Sequence, residues 1–307
     1  MRETELYGCM VDGETQLVGL IGHDIAYTLS PAIQNAAFRA RGMNWIYVPL
    51  RVPPGEVAEA LRGLRAMGFR GANVTVPHKL EAARCADELM GDASLLGAVN
   101  TLLVEGSRII GYNTDVEGFR AFMEEEGMDI RERCVAVIGA GGAARAVALA
   151  AAREGASPII IFNRTEERAR DMAGMLKREF PSTEIWVERT GCNTGGPSFR
   201  AALVVNCTPA DAGGEWLFAL PLAGLEEGGW AVDLKYGAHG SAFLREASLR
   251  GARTADGGGM LVRQAAASFR LWTGEEAPLE EMRAAYAAAT TAKAGEKKGK
   301  TTGDAEA

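Results

Sequence analysis

Lys79 stands in a stretch whose order of residue types is suited to proton transfer. The stretch reads GANVTVPHKL over residues 71–80. Residues 73–76 are predicted to form a strand because Val and Thr favour a pleated surface, and Pro77 ends it because proline has no N–H to donate. A lysine held just beyond a strand end can be partly desolvated, which tunes its ammonium group toward acid–base chemistry. The alternative is an ordinary solvated lysine.

A glycine-rich turn supplies a second kind of chemistry, the binding of a phosphate group. Residues 133–165 read RCVAVIGAGGAARAVALAAAREGASPIIIFNRT, with the spacing Gly139-x-Gly141-x-x-Ala144. This is the dinucleotide fingerprint with Ala in third place, and it follows an apolar strand and precedes a helix, as the fingerprint requires. Plain packing is the alternative use of such a turn. The residues predicted to hold the pyrophosphate at the helix N-terminus are Gly139, Ala140, Gly141, Gly142 and Ala143.

The end of the next strand indicates which dinucleotide is bound. The strand PIIIF is followed by Asn163, Arg164 and Thr165, where an NAD site would usually offer a carboxylate to the ribose hydroxyls. Arg164 and Thr165 can instead hold a 2′-phosphate, and the guanidinium group can stack on adenine. NADP is therefore the predicted cofactor. The alternative is that Arg164 simply begins the solvated helix that follows.

Composition and charge restrict the class of protein. A chain of 307 residues exceeds the usual size of one core, so two domains are expected. The net charge of -7 argues against a nucleic-acid partner, which needs a basic surface. No secretory leader and no membrane-spanning apolar run are recognised, so no membrane partner and a cytoplasmic location are expected. The cysteines are scattered without C-x-x-C spacing, so no metal site is predicted; they are Cys9, Cys85, Cys134, Cys192 and Cys207.

Short apolar strands and helical patterns alternate from Leu17 onward, which predicts βαβ units and a mostly parallel sheet. In the first of these helices Ser30 is predicted to be the N-cap, with Pro31 at the first helical position. The segments in order are LVGLIG, SPAIQNAAFRARG, WIYVPL, EVAEALRGLRAMG and ANVTV; beyond the glycine-rich unit come the strands AALVVNCTPA and GWAVDLKYG and the helix MLVRQAAASFRLWTG. Residues 293–307 are small and charged without periodicity, and a disordered tail is predicted there.

Five stretches around the central GAGGAARA together resemble the shikimate dehydrogenase family. They are YTLSP at 27–31, NVTVPHK at 73–79, GAVNTL at 97–102, GYNTD at 111–115 and GGGMLVRQ at 257–264. The resemblance covers nearly the whole chain and implies an α/β fold of two domains. It implies an N-terminal α/β substrate domain at 1–115, a Rossmann-type NADP-binding domain at 116–250, and C-terminal helices at 251–292 that return to the first domain.

The resemblance also implies a reaction. Members of the family transfer hydride reversibly between NADPH and 3-dehydroshikimate, giving shikimate on the way to chorismate and the aromatic amino acids. It places a catalytic dyad on Lys79 and Asp115. Lys79 would donate the proton that the new hydroxyl needs, while Asp115 would orient the ammonium group, and the two would titrate as a coupled pair. The alternative for Asp115 is an Asx-type turn.

Further site residues follow from the same resemblance. Asn100, Thr75 and Gln264 would bond the ring hydroxyls of the substrate, although each could also serve a turn, a strand or a helix face. Its carboxylate would lie against the hydroxyls of Thr28, Ser30 and Tyr236. Gly257 and Met260 would line the nicotinamide pocket, and Met260 could equally be a core residue.

Departures from the family pattern leave the substrate open. The usual H-S-x-S-P reads YTLSP at 27–31, the H-N pair reads Gln34-Asn35, and Y-x-P-x-x-T reads YGAHGS at 236–241. A quinate/shikimate or aminoshikimate-type dehydrogenase that also uses NAD is the nearer alternative, and a non-catalytic NADP-binding sensor is an alternative of another class. The three histidines match no metal spacing and are predicted to be surface or turn residues; they are His23, His78 and His239. A homodimer is the assembly considered.

Overall fold

The computed structural model describes residues 5–6, 9–190, 199–209, 221–237 and 240–303, with side chains over 11–293 of these. The chain forms two compact units. The first contains the residues up to Thr114 and those from Leu261 onward, and the second contains Asp115–Met260. The sequence predicts domain boundaries at 115 and 250, and the second compact unit begins at Asp115 and ends at Met260.

The first unit is built on a six-stranded sheet. A short antiparallel pair, β1 Glu5–Leu6 and β2 Cys9–Met10, lies outside this sheet. The strands of the sheet are β3 Gln16–Gly22, β4 Trp45–Arg51, β5 Gly71–Val74, β6 Glu88–Leu89, β7 Thr101–Glu105 and β8 Arg108–Tyr112. Its helices are α1 Ser30–Ala40, α2 Val57–Ala66, α3 Lys79–Cys85, α4 Asp92–Leu96, most of α9 Gly258–Thr273, and α10 Leu279–Gly303.

This sheet is mixed, whereas the sequence predicted a mostly parallel one. The strand order is β4-β3-β5-β7-β8-β6, and β3 runs parallel to both β4 and β5. β7 runs antiparallel to β5 and to β8. The reason is the two-residue link between β7 and β8, in which Gly106 has φ of +60°. Such a short link with a left-handed glycine joins antiparallel neighbours and cannot make a parallel crossover.

The second unit is a doubly wound parallel sheet. Its strands are β9 Cys134–Ile138, β10 Ile159–Asn163, β11 Ile185–Arg189, β12 Ala201–Asn206, β13 Leu225–Asp233 and β14 Arg253–Asp256. Its helices are α5 Asp115–Glu126, α6 Gly142–Arg153, α7 Glu166–Glu179 and α8 Ala242–Leu249. The order β11-β10-β9-β12-β13-β14 is the 3-2-1-4-5-6 order of Rossmann-type dinucleotide-binding folds, and the order reverses between β9 and β12. The predicted two-domain α/β fold class is confirmed.

The glycine-rich turn lies at this reversal because it directly follows β9. The strand before the turn and the helix after it are both buried. Every residue of β9 is buried, as a strand covered on both faces requires. The buried face of α6 is mostly alanine, and the 0 % exposed Ala144 allows the helix to lie close to the sheet. Ligands bind beyond the carboxyl ends of the strands at such a switch point.

The C-terminal helices belong to the first unit. Phe38 of α1 stacks on Phe269 of α9 with ring centroids 5.3 Å apart, and Gln34 Nε2 donates to Ala265 O over 3.0 Å. The backbone of α10 continues to Gly303, so it is helical over most of the predicted irregular tail. The part of α10 before this stretch, residues 279–292, is rich in Ala, a strong helix former, and a helix that has begun is extended more easily than a new one is nucleated. In the part of the chain that the structure describes, no helix is long and apolar enough to span a membrane.

Candidate active site

Lys79 is the first residue of α3, and its backbone is fixed on both sides. β5 ends at Val74, one turn before the helix begins. His78 N donates to Thr75 O, and His78 Nε2 lies 2.9 Å from Val52 O. The Lys79 carbonyl accepts from Val99 N over 2.9 Å, while its side chain is half-buried. The lysine is therefore held beyond the strand end, as the sequence predicted.

The histidines were predicted to be surface or turn residues, and His78 is a turn residue, because its N–H donates to Thr75 O, but it is not a surface residue. His78 is 0 % exposed, because its ring is tied to the loop after β4 instead of facing water. His23 is half-buried at the bend that follows β3. His239 lies outside the described residues, as does Cys192.

Asn100 and Gln264 meet in the first unit, although the sequence separates them by most of the chain. Asn100 Nδ2 lies 3.3 Å from Gln264 Oε1, and it also donates to Thr114 Oγ1 over 2.9 Å. Gln264 is further held by its own helix, because its Nε2 donates to Leu261 O over 2.8 Å. Both side chains are buried. Two residues predicted for the same ring hydroxyls are thus brought into one polar array.

A buried polar network behind this array was missed by the sequence analysis. Asn73 Nδ2 donates to Thr101 Oγ1 over 3.0 Å and to Ser268 Oγ over 2.9 Å. Tyr47 OH donates to Asn73 Oδ1 over 2.9 Å, and Thr101 Oγ1 lies 2.8 Å from Ser268 Oγ. Such fully bonded networks orient their members, because a buried polar group without a partner is costly. Polar residues inside otherwise apolar strands were the available signal.

The segment predicted to bind the carboxylate begins α1 in a different way from the prediction. Ser30 is the first helical residue, Leu29 occupies the N-cap position, and no side chain caps the helix. The Thr28 hydroxyl accepts from Ser30 N over 3.2 Å. The Ser30 hydroxyl is therefore not used as a helix cap, since Pro31 follows it inside the helix.

Thr75, the residue that follows β5, packs against Gly22 at the end of β3. A Cβ at Gly22 would stand 2.6 Å from the Thr75 methyl group, so glycine leaves room for the threonine side chain.

Lys293 adds a cation beside this segment, where the sequence predicted the start of the tail. Its Nζ donates to Thr28 O over 3.1 Å, because α10 extends far enough to reach the start of α1. A cavity of about 440 Å³ lies there, and Arg51 and Lys293 are the charged residues of its lining. Two cations near the Thr28 segment give a net acidic chain a local attraction for anions.

Gln34, which departs from the family's H-N pair, and Asn35, which matches its second residue, both have structural roles. Gln34 is 0 % exposed and bonds the Ala265 carbonyl, as described above. Asn35 donates to Tyr47 O and accepts from Tyr47 N over 2.9 and 2.8 Å, which ties α1 to β4. Tyr27 is 60 % exposed. Thr28 is therefore the departure that lies within the predicted carboxylate segment.

The second unit carries the other predicted residues. Asp115 is the first residue of α5 and is 4 % exposed; a carboxylate there also complements the positive end of the helix. Tyr236 is half-buried in the segment after β13. Gly257 follows β14, and a Cβ there would overlap the backbone of Leu234, so no larger residue fits. Met260 is 6 % exposed.

The glycine-rich turn fits a pyrophosphate. Gly139 has φ of +116°, which favours glycine, and a Cβ there would stand 3.3 Å from Thr208 Cγ2. Gly141 is exposed at the N-cap of α6, and no heavy atom lies within 4 Å of the position that its Cβ would take. Backbone N–H groups at the start of α6 are thus open to an anion, which the helix dipole stabilises. Gly142 and Ala143 form the first helical turn.

The end of β10 offers cations and amides. Asn163 Nδ2 donates to Thr165 O over 2.7 Å, which closes the loop around the exposed Arg164. α7 begins at Glu166, so Arg164 precedes the helix instead of beginning it. Arg168, which the sequence analysis did not single out, is exposed in the first turn of α7 and is a second candidate cation for a 2′-phosphate.

The protein is a two-unit α/β protein whose second unit has a Rossmann-type nucleotide-binding fold. This class follows from the strand order, the glycine-rich turn and the cations beyond β10. Three family models match the chain. They are the shikimate dehydrogenase substrate binding domain at residues 20–102, shikimate / quinate 5-dehydrogenase at 122–185, and the shikimate 5'-dehydrogenase C-terminal domain at 257–285. The chain belongs to the shikimate dehydrogenase family, as its motifs predicted.

Individual relatives are similar in sequence to this protein over most of the chain. It is 42% identical to shikimate dehydrogenase (NADP(+)) of Moorella thermoacetica, over 89% of this chain and 92% of that protein. It is 44% identical to shikimate dehydrogenase (NADP(+)) of Methanopyrus kandleri, over 90% of this chain and 96% of that protein. The crystal structure of shikimate 5-dehydrogenase from Thermus thermophilus in complex with NADP(H) and shikimate superposes with a TM-score of 0.77 at 33% identity, over 89% of this chain and 99% of that one.

Proposed function

We propose that the protein is an NADP-dependent shikimate dehydrogenase that reduces 3-dehydroshikimate reversibly to shikimate. Its relatives carry this activity in their names and match about nine-tenths of both chains. The single structural observation that carries the proposal is the hydrogen-bonded pair of Asn100 and Gln264. These residues come from separate family motifs, and the fold brings their amides within 3.3 Å of each other. Paired amides of this kind suit a ligand that carries several hydroxyl groups.

Lys79 is proposed to be the general acid. When the carbonyl carbon of the substrate gains hydride, its oxygen gains negative charge and needs a proton. The Lys79 ammonium donates that proton, and in the reverse direction the neutral amine accepts it. Asp115 is proposed as the second member of the dyad, which orients the ammonium group. Thr75, Asn100 and Gln264 hold the ring hydroxyls, while Thr28, Ser30 and Tyr236 hold the carboxylate.

NADP fits the residues of the second unit. When bound, it supplies or accepts the hydride. The open N-terminus of α6 after Gly139 and Gly141 is proposed to hold the pyrophosphate. Arg164, with Thr165 and Asn163, is proposed to hold the 2′-phosphate, because this loop presents a guanidinium group where an NAD site usually presents a carboxylate. Gly257 and Met260 are proposed to line the nicotinamide pocket.

A substrate panel tests the proposal. Shikimate, quinate and aminoshikimate are each offered with NADP and with NAD, and reduction of the cofactor is followed by its absorbance. The proposal expects shikimate with NADP to give the highest kcat/KM. Preference for quinate or aminoshikimate, or for NAD, would favour the alternative dehydrogenases. Binding of NADP without reduction by any of the three would favour the non-catalytic sensor.

Thr28 bears on the quinate alternative, because it lies where the family pattern has serine and carries an extra methyl group beside the proposed carboxylate site. That methyl group is expected to crowd quinate, so the protein is proposed to prefer shikimate. A cytoplasmic location and a homodimer are proposed from composition and family alone. Light scattering on the purified protein measures the assembly directly, and a monomer at working concentration would exclude the homodimer.

A further inference from the structure

Asn206 and Asp233 are the last residues of the neighbouring strands β12 and β13, and they are paired in register. Each is 1 % exposed, and Asn206 Nδ2 donates to Asp233 Oδ1 over 3.0 Å. Burial raises the pKa of the Asp233 carboxyl group above its ordinary value, against hydrogen bonds that lower it. Burying a carboxyl group costs desolvation free energy, so its presence here indicates that its hydrogen bonds serve the structure or the function. Neither Asn206 nor Asp233 has a role in the function proposed above.

Asn206 connects this pair to the glycine-rich turn. Asn206 Oδ1 accepts from Thr208 N over 3.1 Å and from Thr208 Oγ1 over 2.7 Å. The Thr208 methyl carbon stands 3.3 Å from the Cβ position of Gly139. The chain between them is also fixed, because Cys207 N donates to Ile138 O over 2.9 Å. Asn206 therefore holds Thr208 against the turn that is proposed to bind the pyrophosphate.

Asp233 connects the pair to the segment that carries Tyr236. Asp233 Oδ1 accepts from Lys235 N over 3.1 Å, in addition to its bond from Asn206. The Lys235 carbonyl in turn accepts from Gly257 N over 3.0 Å. Gly257 lies so close to Leu234 that it has no room for a Cβ. Asp233 therefore holds the backbone of Lys235, which precedes Tyr236 in the chain. Through Lys235 it also holds this segment next to Gly257, a residue of the proposed nicotinamide pocket.

We propose that Asn206 and Asp233 are positioning residues that hold the cofactor turn, through Thr208, and the Tyr236–Gly257 region, through Lys235, in one fixed arrangement. The proposal rests on the proposed function, because it assigns consequences to the cofactor and substrate contacts named there. Asp233 acts as a hydrogen-bond acceptor at Oδ1, so an amide in its place can do the same work. A misplacement of about 1 Å in such groups can reduce turnover about a hundredfold.

Three variants test the arrangement. Asp233→Asn retains an acceptor oxygen for Asn206 and Lys235, and is expected to keep kcat/KM within about threefold of the wild type, which is about 0.65 kcal/mol. Asp233→Ala is expected to raise KM for shikimate and lower kcat by roughly tenfold or more. Asn206→Ala is expected to raise the Kd for NADP+ as well, because Thr208 is released. Asp87→Ala is the control for the loss of an aspartate that accepts a backbone N–H, since the exposed Asp87 accepts from Ile109 N at Oδ2 over 2.7 Å in the other unit.

The outcomes separate positioning from simple stabilisation. All rates are measured well below each variant's unfolding temperature, so that a loss of stability alone leaves kcat and KM unchanged, as expected for the control. The double variant Asn206→Ala, Asp233→Ala is expected to cost less than the sum of the two single changes, because the pair acts as a unit. Additive effects, or an Asp233→Ala enzyme with wild-type kcat and KM, would overturn the proposal.

A readout without catalysis distinguishes this proposal from the proposed function. Amide hydrogen exchange at Thr208 and Lys235 is expected to accelerate in Asp233→Ala and to stay slow in Asp233→Asn. Fluorescence titration with NADP+ measures the cofactor site directly. If the wild type turns over none of the panel substrates but these two readouts still change as expected, the proposed function fails and the positioning role stands. Unchanged exchange in an active enzyme overturns the positioning role alone.

Discussion

Asn100 and Thr114 hold each other by hydrogen bonds in both directions: Asn100 Nδ2 donates to Thr114 Oγ1 over 2.9 Å, and Thr114 N donates to Asn100 Oδ1 over 2.7 Å. Both side chains are buried. The orientation of the Asn100 amide is therefore set by the residue immediately before Asp115 in the chain. Asn100 and Asp115 are site residues predicted from the sequence, whereas the position of Thr114 becomes meaningful only in the structure.

The first prediction concerns that hydroxyl group. Thr114→Val keeps the side-chain shape and removes one of the two partners of Asn100 Nδ2, so it is expected to cost about 1–3 kcal/mol in unfolding free energy. KM for shikimate is expected to rise because Asn100 loses its fixed orientation. Thr114→Ser, which keeps the hydroxyl, is the control and is expected to stay near the wild type. Denaturant unfolding and steady-state kinetics measure the two effects, and an unchanged KM in Thr114→Val would contradict the orienting role.

Lys79→Ala is expected to lower kcat by about 10²–10⁴-fold, the usual scale for a positioned general acid or base. The Kd for NADP+ is expected to change little, because the cofactor residues belong to the other unit. Arg84→Ala removes an exposed cation from the same helix α3 and serves as the control. Stopped-flow and steady-state assays measure turnover. Near-normal turnover without Lys79 would remove it from the mechanism.

Arg164→Ala is expected to raise KM for NADP far more than KM for NAD, since only NADP carries the 2′-phosphate. The loss of one charged contact costs roughly 1.5–3 kcal/mol, or about tenfold to a hundredfold in affinity. Arg178→Ala, in the last turn of α7, the helix that follows Arg164, is the control. Equal effects of Arg164→Ala on both cofactors would mean that the 2′-phosphate is held elsewhere, and Arg168→Ala then becomes the next variant.

Two glycines are expected to respond to the same change in opposite ways. Gly141→Ala adds a methyl group in open space at φ of -84°, so the unfolding temperature is expected to hold while the Kd for NADP+ rises about tenfold or more. Gly257→Ala forces its methyl group into the Leu234 backbone and is expected to cost about 1–3 kcal/mol of stability. Thermal unfolding with and without NADP+ measures both. A Gly141→Ala protein that binds NADP+ normally would place the pyrophosphate elsewhere.

Thr28 is expected to influence the choice between shikimate and quinate. Quinate carries an additional hydroxyl on a tetrahedral carbon next to its carboxylate, and the rigid Thr28 methyl group is expected to crowd it by about 1–3 kcal/mol. Thr28→Ser should therefore narrow the ratio of kcat/KM for shikimate over quinate. Thr28→Val keeps the shape without the hydroxyl that Ser30 N donates to, and should weaken both substrates. If Thr28→Val handles shikimate as the wild type does, the carboxylate depends on Ser30 and Tyr236.

The sequence alone determined the features that depend on local order. The nucleotide-binding turn was predictable because the fingerprint, the buried strand before it and the alanine-rich helix after it are contiguous from Cys134 to Arg153. Lys79 was predicted as a candidate for the same reason, since Pro77 and the β-branched residues before it indicate a nearby strand end; in the structure β5 ends slightly earlier, at Val74. Family motifs then named Asn100, Asp115 and Gln264 at known positions.

Tertiary structure alone decided which residues hold these groups in place. Asn73 bonds Ser268 across 195 positions, Lys293 bonds Thr28 across 265, and Asn206 meets Asp233 across 27. The sequence alone does not distinguish a polar residue that is hydrogen-bonded to water from one that is hydrogen-bonded to a distant side chain. Hydrogen bonds require a partner within about 3 Å, and that distance exists only after sheets and helices have packed.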